Sequence, residues 1–599
     1  MRHFPSSSSW KTPYSYHRQF FIALLVLLLS QLFIGCATSL PPNVQRPITQ
    51  AWRTPQNTAL GKITNSARQQ SVPASYSGFK LLGGPEPAFS SRLSLIKAAE
   101  HTLDLQYYAI HADESTAYLL SELVKAARRG VRVRVLLDDF HSTGRDAQVM
   151  ELGFEPNIEM RMFNPLPGSR NSALGRAYTL LTNFQRAQQR MHNKLFIADN
   201  AMAVVGGRNL GDEYFDASED GNFIDLDALV AGPVVRDLSK SFDNYWNDER
   251  SYPAQILISA KELKDLKQLQ QQRIDSEEIQ KLLQQQPAPS TFADPAALNG
   301  EEAGKKNIWE RASIDFAKIN WTWASAVVLA DRPEKIPLEE SPTRTLEDSI
   351  ADAAIQSPHK SNAEITTSTQ RKVATSISTS NLDTDSVVDG LLTLIRGAKK
   401  ELLIISPYFV PGQKIMDAIG AARSNGVQIS VLTNSLASND APAAHAGYAR
   451  HRKQLLEMGV QLYEMLSTHS GVRSVFGAGS STGSGAGGSS RAMLHSKLLV
   501  IDSKLVVIGS MNLDMRSQYQ NTEIAILIPS SPLSQEASSL VLRGMQGDAW
   551  RVQLDSQREL IWIAPQGSER SNQSTEPDAS LPLRMLLKLL GPLAPDELL

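Results

Sequence analysis

Cys36 is the only cysteine among 599 residues, so no disulfide can form within the chain. A surplus of either charge is also missing. Sixty Lys and Arg stand against 62 Asp and Glu, a formal net charge of −2. Nucleic-acid binders ordinarily carry a basic excess, so this balance argues against that class and leaves it only a local basic groove. Otherwise the composition is that of a globular protein, 42% hydrophobic and 20% charged. The chain is long enough for two or more domains, each with its own core.

The cysteine's position is informative. Arg2, Lys11 and Arg18 precede an apolar run, residues 20–34, that ends in Gly35-Cys36. A basic stretch, an apolar run of roughly 15 residues and a small residue before the cut are secretory-signal features. Leu32-Phe33-Ile34-Gly35-Cys36 resembles a bacterial lipobox, with Phe33 a slight departure. Residues 1–35 are therefore expected to be a lipoprotein-type signal peptide and Cys36 the lipidated residue; the competing reading is an uncleaved anchor, for which the run is short. Ala37-Thr38, without Asp after the cysteine, suggests by resemblance to lipoprotein sorting the periplasmic face of an outer membrane. Residues 36–78, rich in Ser, Pro, Thr, Asn and Gln, read as a flexible tether.

The body reads as a duplication. Residues 101–110 alternate as a strand with Leu103, Leu105 and Tyr107 on one face. Helical spacing follows over 115–129, closed by Gly130, and then a strand over 131–137. The same strand, helix and strand recur at 401–405, 414–424 and 427–432. Each is a βαβ unit and implies a parallel or mixed sheet. The expected domains are 79–255 and 386–599, separated by an insertion over 256–385. That insertion holds a Gln-rich helical pattern (263–286), a strand over 321–330 with Trp321 and Trp323 on one core-facing side, and a Ser/Thr-rich mobile loop (337–385). Residues 475–490 are a linker by composition, a Trp (Trp246, Trp550) follows at a similar distance in each half, and Leu583, Leu586, Leu587 and Leu590 line one helix face. Such a face usually packs on its own domain, though a basic amphipathic helix can also lie on a membrane.

Residues 191–210 and 494–513 carry the same ungapped pattern: His-x-Lys, four residues, Asp, six residues, Gly-small-x-Asn. The first copy supplies His192, Lys194, Asp199, Gly207 and Asn209; the second His495, Lys497, Asp502, Ser510 and Asn512. Apolar residues after each Lys suggest a strand, whose period of two aims His and Lys at one small volume. A neutral imidazole can attack phosphorus, and a neighbouring ammonium can neutralise phosphoryl oxygens. The small residues let backbone amides, or the Ser510 hydroxyl, approach a phosphate, and the Asn side chains add donors. A single histidine on an apolar strand is usually a core residue. Two ungapped copies within repeated domains reverse that judgement.

These residues resemble the phospholipase D superfamily. Thr433-Asn434-Ser435-Leu436-Ala437-Ser438-Asn439-Asp440, His445-Ala446-Gly447-Tyr448 and Gly509-Ser510-Met511-Asn512-Leu513-Asp514 resemble its bacterial cardiolipin synthase C type. The resemblance implies an α/β fold: two duplicated α-β-α sandwich domains with mixed sheets, and one active site at their pseudo-twofold interface. It implies phosphatidyl transfer between phospholipids to form cardiolipin, through a covalent phosphohistidine and two displacements. Lys194, Lys497, Asn209 and Asn512 would stabilise the phosphoryl oxygens, while Asp199 and Asp502 would hold the motif turns. Asp225 and Glu523 would each orient the histidine of their own half. By analogy with two-motif members, His192 is the expected nucleophile. No cofactor or metal is needed, and Asp138, Asp139 and His141 are better read as a polar strand end than as a cation site.

Phosphatidylglycerol is the expected acceptor; phosphatidylethanolamine and a second phosphatidylglycerol are both open as donors. A small accessory protein is compatible with the resemblance, and no nucleic acid is expected. The close alternative is a phospholipase D that uses water and yields phosphatidic acid. A nuclease and a catalytically silent envelope lipoprotein are the remaining alternatives.

Overall fold

The computed structural model describes residues 40–41, 43–111, 113–139, 144–167, 183–218, 221–257, 313–338, 386–467 and 491–590. The helix Phe184–Gln188 falls mostly in a small unit formed by Met1–Val44 and Leu166–Ala187. Every element discussed below belongs to the unit formed by Gln45–Pro165 and Gln188–Leu599.

The first half contains β1 (Ser77–Gly83), β2 (Thr102–Tyr107), β3 (Arg132–Asp138), β4 (Ile158–Phe163), β5 (Leu195–Ala198), β6 (Met202–Gly206), β7 (Gly221–Ile224), β8 (Leu226–Ala231) and β9 (Ser251–Pro253). Two short strands follow, β10 (Thr322–Ala324) and β11 (Val327–Ala330). Helices α1 (Ala59–Ala67), α2 (Pro85–Ala98), α3 (Glu114–Arg128) and α4 (Val234–Trp246) intervene. The second half adds β12 (Glu401–Ile405), β13 (Phe409–Val410), β14 (Gln428–Asn434), β15 (Gln461–Met465), β16 (Arg491–Leu494), β17 (Leu498–Ile501), β18 (Leu505–Gly509), β19 (Leu513–Asp514), β20 (Ile524–Pro529), β21 (Ala549–Leu554) and β22 (Leu560–Ile563). Its helices are α5 (Val387–Gly397), α6 (Gln413–Ser424), α7 (Pro442–Glu457), α8 (Met515–Tyr519), α9 (Ser531–Gly547) and α10 (Leu581–Leu590).

Two nine-stranded mixed sheets result, ordered β10-β1-β8-β6-β5-β2-β3-β4-β9 and β11-β20-β18-β17-β12-β14-β15-β21-β22. The expected βαβ units are present, with β2 parallel to β3 and β12 parallel to β14. Strand alternation divides each sheet between two cores. Val133, Val135 and Leu137 join α2 and α3 in an outer core, while Leu136 turns to the other side. Leu402, Ile404 and Val431 likewise join α5 and α6. A third core is shared: Ile197 and Val205 of the first sheet, Val500 and Ile508 of the second, and buried faces of α4 and α9 form one cluster. The halves are thus fused through apolar packing that neither could bury alone.

Four expectations need correction. The stretch read as a tether is folded from residue 45 onward: Ala51 N–H donates to Asp243 Oδ2 at 2.9 Å, Arg161 Nη2 to the Pro47 carbonyl at 2.7 Å, and Leu60 of α1 is fully buried. Its polar composition hides a few anchoring contacts that lie far off in sequence. The strand read over 321–330 is two strands in different sheets. β10 pairs with β1, and β11 pairs with β20. Trp321 and Trp323 lie against Gly78 of β1, where an added Cβ would stand 3.0 Å from one ring and 3.3 Å from the other.

Because β11 occupies the place beside β20 that β1 occupies beside β8, the second half begins at β11 and not at 386. Its four apolar residues are separated from α5 by residues 331–386, which masked the equivalence. Finally, the paired tryptophans are not equivalent: Trp246 ends a helix and Trp550 lies on β21. The Gln-rich pattern, most of the Ser/Thr-rich loop and the linker at 475–490 lie outside the described residues.

Candidate active site

The approach of each histidine is fixed by a strand-end side chain in its own half. Asp138, last in β3, accepts from Met191 N–H at 2.8 Å and from Arg190 Nη1 at 3.2 Å. Asn434, last in β14, accepts from Leu494 N–H at 2.8 Å and donates to the Leu494 carbonyl at 2.9 Å. Met191 and Leu494 each immediately precede a motif histidine. His192 and Lys194 therefore stand in the extended segment leading into β5, not on the strand itself. Asp138 is committed to this duty, His141 lies outside the described residues, and among the described residues no cluster of three metal-ligating side chains occurs.

The same segments cross between the halves. β16 runs parallel to β7, and His495 N–H donates to the Ile224 carbonyl at 2.8 Å. This bond has a counterpart in the first motif, where His192 N–H donates to the Thr522 carbonyl at 2.9 Å and Thr522 N–H donates to the Arg190 carbonyl at 2.9 Å. Ile224 and Thr522 immediately precede the two carboxylates, so each carboxylate is delivered to the opposite half's histidine. His192 Nδ1 lies 3.0 Å from Glu523 Oε2, and His495 Nδ1 lies 2.8 Å from Asp225 Oδ2. The expectation that each orients the histidine of its own half is thereby corrected. With Nδ1–H held by a carboxylate, Nε2 of each ring keeps its lone pair for the reacting atoms.

The remaining motif residues divide into two groups. Asp199 accepts from the backbone N–H groups of Glu100, His101 and Thr102, each at 2.8 Å. Asp502 does the same for Lys399, Lys400 and Glu401 at 2.7–3.2 Å. Both occupy left-handed turns, with φ of 53° and 54°, and stand outside the reacting volume. Ser510 is not free to meet a phosphate, because its hydroxyl donates to Glu523 Oε2 while Ser517 Oγ donates to Oε1 at 2.9 Å. Gly207 makes room instead of a contact: an added Cβ would stand 2.9 Å from Asp225 Oδ1. Asp225 is one methylene shorter than Glu523, so its carboxylate lies where the other half keeps a serine.

Lys194 Nζ donates to the His192 carbonyl at 2.8 Å and Lys497 Nζ to the His495 carbonyl at 2.6 Å. Each ammonium has further protons for an anion. Burial, and then repulsion from the Lys497 ammonium, holds the Lys194 amine well below its usual range. Burial brings Lys497 down to about 8 despite Asp225 and Glu523. Both imidazoles are held well below the ordinary histidine value by burial and then by the two ammonium groups. Burial raises Asp225, and it raises Glu523 to about 7. Two cations pressed together in a buried space favour the arrival of an anion. Asn209 and Asn512 each keep a buried side-chain oxygen without a hydrogen-bond partner. For Asn209, whose amide nitrogen lies 2.8 Å from Tyr214 Oη, the reversed amide would keep the tyrosine bond and turn its NH2 inward.

Several contributors carried no local signal. Tyr108 meets the His192 ring edge-on at 5.2 Å, and Tyr214 and Phe223 lie 5.3 and 4.9 Å from the His495 ring. Arg208 Nη2 donates to the Asp225 carbonyl at 2.7 Å. Asp331, the residue after β11, accepts from Glu523 N–H at 2.9 Å, Val387 N–H at 2.7 Å and Lys335 Nζ at 2.7 Å. Asp331 directly follows the stretch read as a strand over 321–330, but its partner Glu523 is 192 residues away.

Two imidazoles, two ammonium groups and two carboxylates, converging in pseudo-symmetry from duplicated domains, define a phosphodiester-transfer site. The family model described as "Cardiolipin synthase, PLD-like domain" matches residues 93–246 and again 391–543. Cardiolipin synthase C of Escherichia coli is 34% identical over 513 residues, which cover 86% of this chain and 94% of that protein. An uncharacterized protein of Helicobacter pylori is 32% identical over 570 residues, 94% of this chain and 97% of its own length. The chain belongs to the phospholipase D-like family of cardiolipin synthase domains.

Proposed function

We propose that the protein transfers a phosphatidyl group from one phospholipid to the hydroxyl of phosphatidylglycerol, forming cardiolipin. The observation that carries this reading is the crossed pair of carboxylate-held histidines, taken with the similarity to a protein named cardiolipin synthase C. In the first step Nε2 of one histidine attacks phosphorus. The bond to the headgroup oxygen breaks as the other histidine's Nε2 gives that oxygen a proton. In the second step the latter histidine takes the proton of the incoming hydroxyl, whose oxygen displaces the phosphohistidine nitrogen. The anionic phosphodiester offsets the two ammonium groups that depress the imidazoles, so the leaving-group histidine can hold its proton. Lys194, Lys497, Asn209 and Asn512 face the charge on the phosphoryl oxygens.

Both histidines are less than one-tenth exposed, so the reacting nitrogens are largely shielded from bulk solvent. The reading extends to a lipid-anchored protein held through Cys36 at the periplasmic face of the outer membrane, supported by the lipobox-like sequence. Purified protein incubated with phosphatidylglycerol, with and without phosphatidylethanolamine, tests the reaction and the donor together. Cardiolipin with release of glycerol or ethanolamine is the expected product; phosphatidic acid alone would establish hydrolysis instead.

A further inference from the structure

Helix α10 carries apolar residues on two sides. Leu583 and Leu587 pack against Leu436, Ala437 and Ala579. That packing agrees with part of the apolar face read from the sequence, but Leu586 departs from it and stands 41% exposed. Leu581, Met585 and Leu589, one turn apart, form a second stripe exposed by 64%, 61% and 64%. Eleven large apolar side chains stand exposed among the described residues, and four of them lie on this ten-residue helix. Such a concentration marks an interaction surface, whereas scattered single exposures do not.

The helix is held in place. Glu576, shortly before it, accepts from Arg452 of α7 and lies 3.5 Å from His445 Nε2, while Arg584 Nη1 donates to Thr575 Oγ1 at 3.1 Å. Its seat is the 434–440 loop. At one end of that loop Asn434 pins the residue before His495, and at the other Asp440 accepts from Tyr408 Oη at 2.7 Å. The exposed stripe therefore stands over a loop that borders the reacting groups. The helix contains Arg584 and Lys588 and no acidic residue, so charge complementarity points to an anionic partner.

We propose that α10 docks on the surface of a phospholipid bilayer, with Leu581, Met585, Leu586 and Leu589 among the acyl chains and Arg584 and Lys588 at anionic headgroups. A rigid helix of this kind would hold the site's loop against the surface from which a diacyl substrate must be drawn. The inference rests on the phospholipid reading of the site.

A fluorescent probe that shifts to the blue in apolar surroundings tests it. The full chain with Cys36→Ser is labelled at Met585→Cys or, as control, at the exposed Arg551→Cys, and mixed with phosphatidylcholine vesicles with and without phosphatidylglycerol. The 585 probe should shift and be quenched by a lipid-borne quencher, more strongly with phosphatidylglycerol, while the 551 probe should not. Lys588→Gln should reduce the phosphatidylglycerol preference roughly fivefold. Met585→Glu with Leu589→Glu should lower turnover of vesicle-embedded substrate by about tenfold or more and leave that of a dispersed short-chain phospholipid within about twofold. Equal exposure of both probes on vesicles overturns the proposal. So does concentration-dependent shielding of the 585 probe without lipid, which would assign the stripe to a second copy. If the unaltered protein turns over neither lipid form, the proposed reaction fails, while the probe still decides the docking surface.

Discussion

Asp225 Oδ2 lies 2.8 Å from Nδ1 of His495, a histidine 270 residues further along the chain and in the opposite half. Glu523 and His192 repeat the relationship over 331 residues. Each motif's histidine is therefore complete only when the other half is folded beside it. The duplication does more than double a binding surface, since it makes the orientation of each imidazole depend on docking of the two sheets.

Asp225→Asn and Glu523→Gln should each lower kcat on the order of a thousandfold, as loss of an orienting carboxylate does in other histidine-based sites. The pairing should also show in double variants. Asp225→Asn should add little to His495→Ala, and Glu523→Gln little to His192→Ala, because groups acting as a unit are non-additive. Cardiolipin formation measured by mass spectrometry over the four singles and their doubles checks this. Coupling of Asp225 to His192 in place of His495 would contradict the crossed geometry.

Activity should be confined to a narrow pH window. Glu523 must be ionised to hold the His192 ring, and burial places that ionisation at about 7, so activity rises as pH passes upward through this value. Lys194 and Lys497 must both be charged to meet the phosphodiester. Burial brings Lys497 down to about 8 and, with repulsion from Lys497, holds Lys194 well below its usual range, so activity falls as either proton is lost. The profile of kcat/KM, which reports the free enzyme, should show both limbs. Lys497→Arg should remove the Lys497 ionisation and leave an alkaline limb set by Lys194, because a guanidinium stays charged and keeps a cation beside that amine.

Asp331→Ala should both destabilise the protein and slow it. The substitution removes the acceptor shared by Glu523 N–H, Val387 N–H and Lys335 Nζ. Stranding these groups should cost about 3 kcal/mol, read as a lower midpoint in urea. Asp331→Asn keeps one acceptor and should recover part of the stability. A variant of unchanged stability and rate would show that β11's exit plays no part in setting Glu523.

What the sequence made legible was periodic or repeated. The βαβ units showed because Leu103, Leu105 and Tyr107 alternate against a single core. The site residues showed because two ungapped copies share a spacing. What stayed hidden depends on pairing across long separations. Nothing near Asp225 says that β7 will run beside β16 and carry it to His495. β11 is only four residues long and stands apart from the rest of its half, so its equivalence to β1 emerges only from sheet order. Residues 45–60 look like slack because their anchors, Asp243, Asn247 and Arg161, lie on distant elements.

Gly207 and Ser510 occupy matching motif positions, yet they should respond to substitution in opposite ways. In Gly207→Ala the new methyl would stand 2.9 Å from Asp225 Oδ1, 3.0 Å from Oδ2 and 3.2 Å from the His495 carbonyl. The His495 carbonyl is held by Lys497 Nζ at 2.6 Å, so the carboxylate must yield, and it can do so only by leaving His495 Nδ1. Overpacking of this kind costs about 1–3 kcal/mol, and the loss of orientation should lower kcat roughly a hundredfold or more. Ser510→Ala removes material and creates no clash. It takes one hydroxyl donor from Glu523, which keeps Ser517 Oγ and His192. Losing one charge-assisted hydrogen bond should cost about 2 kcal/mol and lower kcat by about tenfold. Steady-state kinetics on the two variants, with urea midpoints alongside, separates the cases: equal losses would mean that Gly207 serves the phosphate and not the carboxylate behind the histidine.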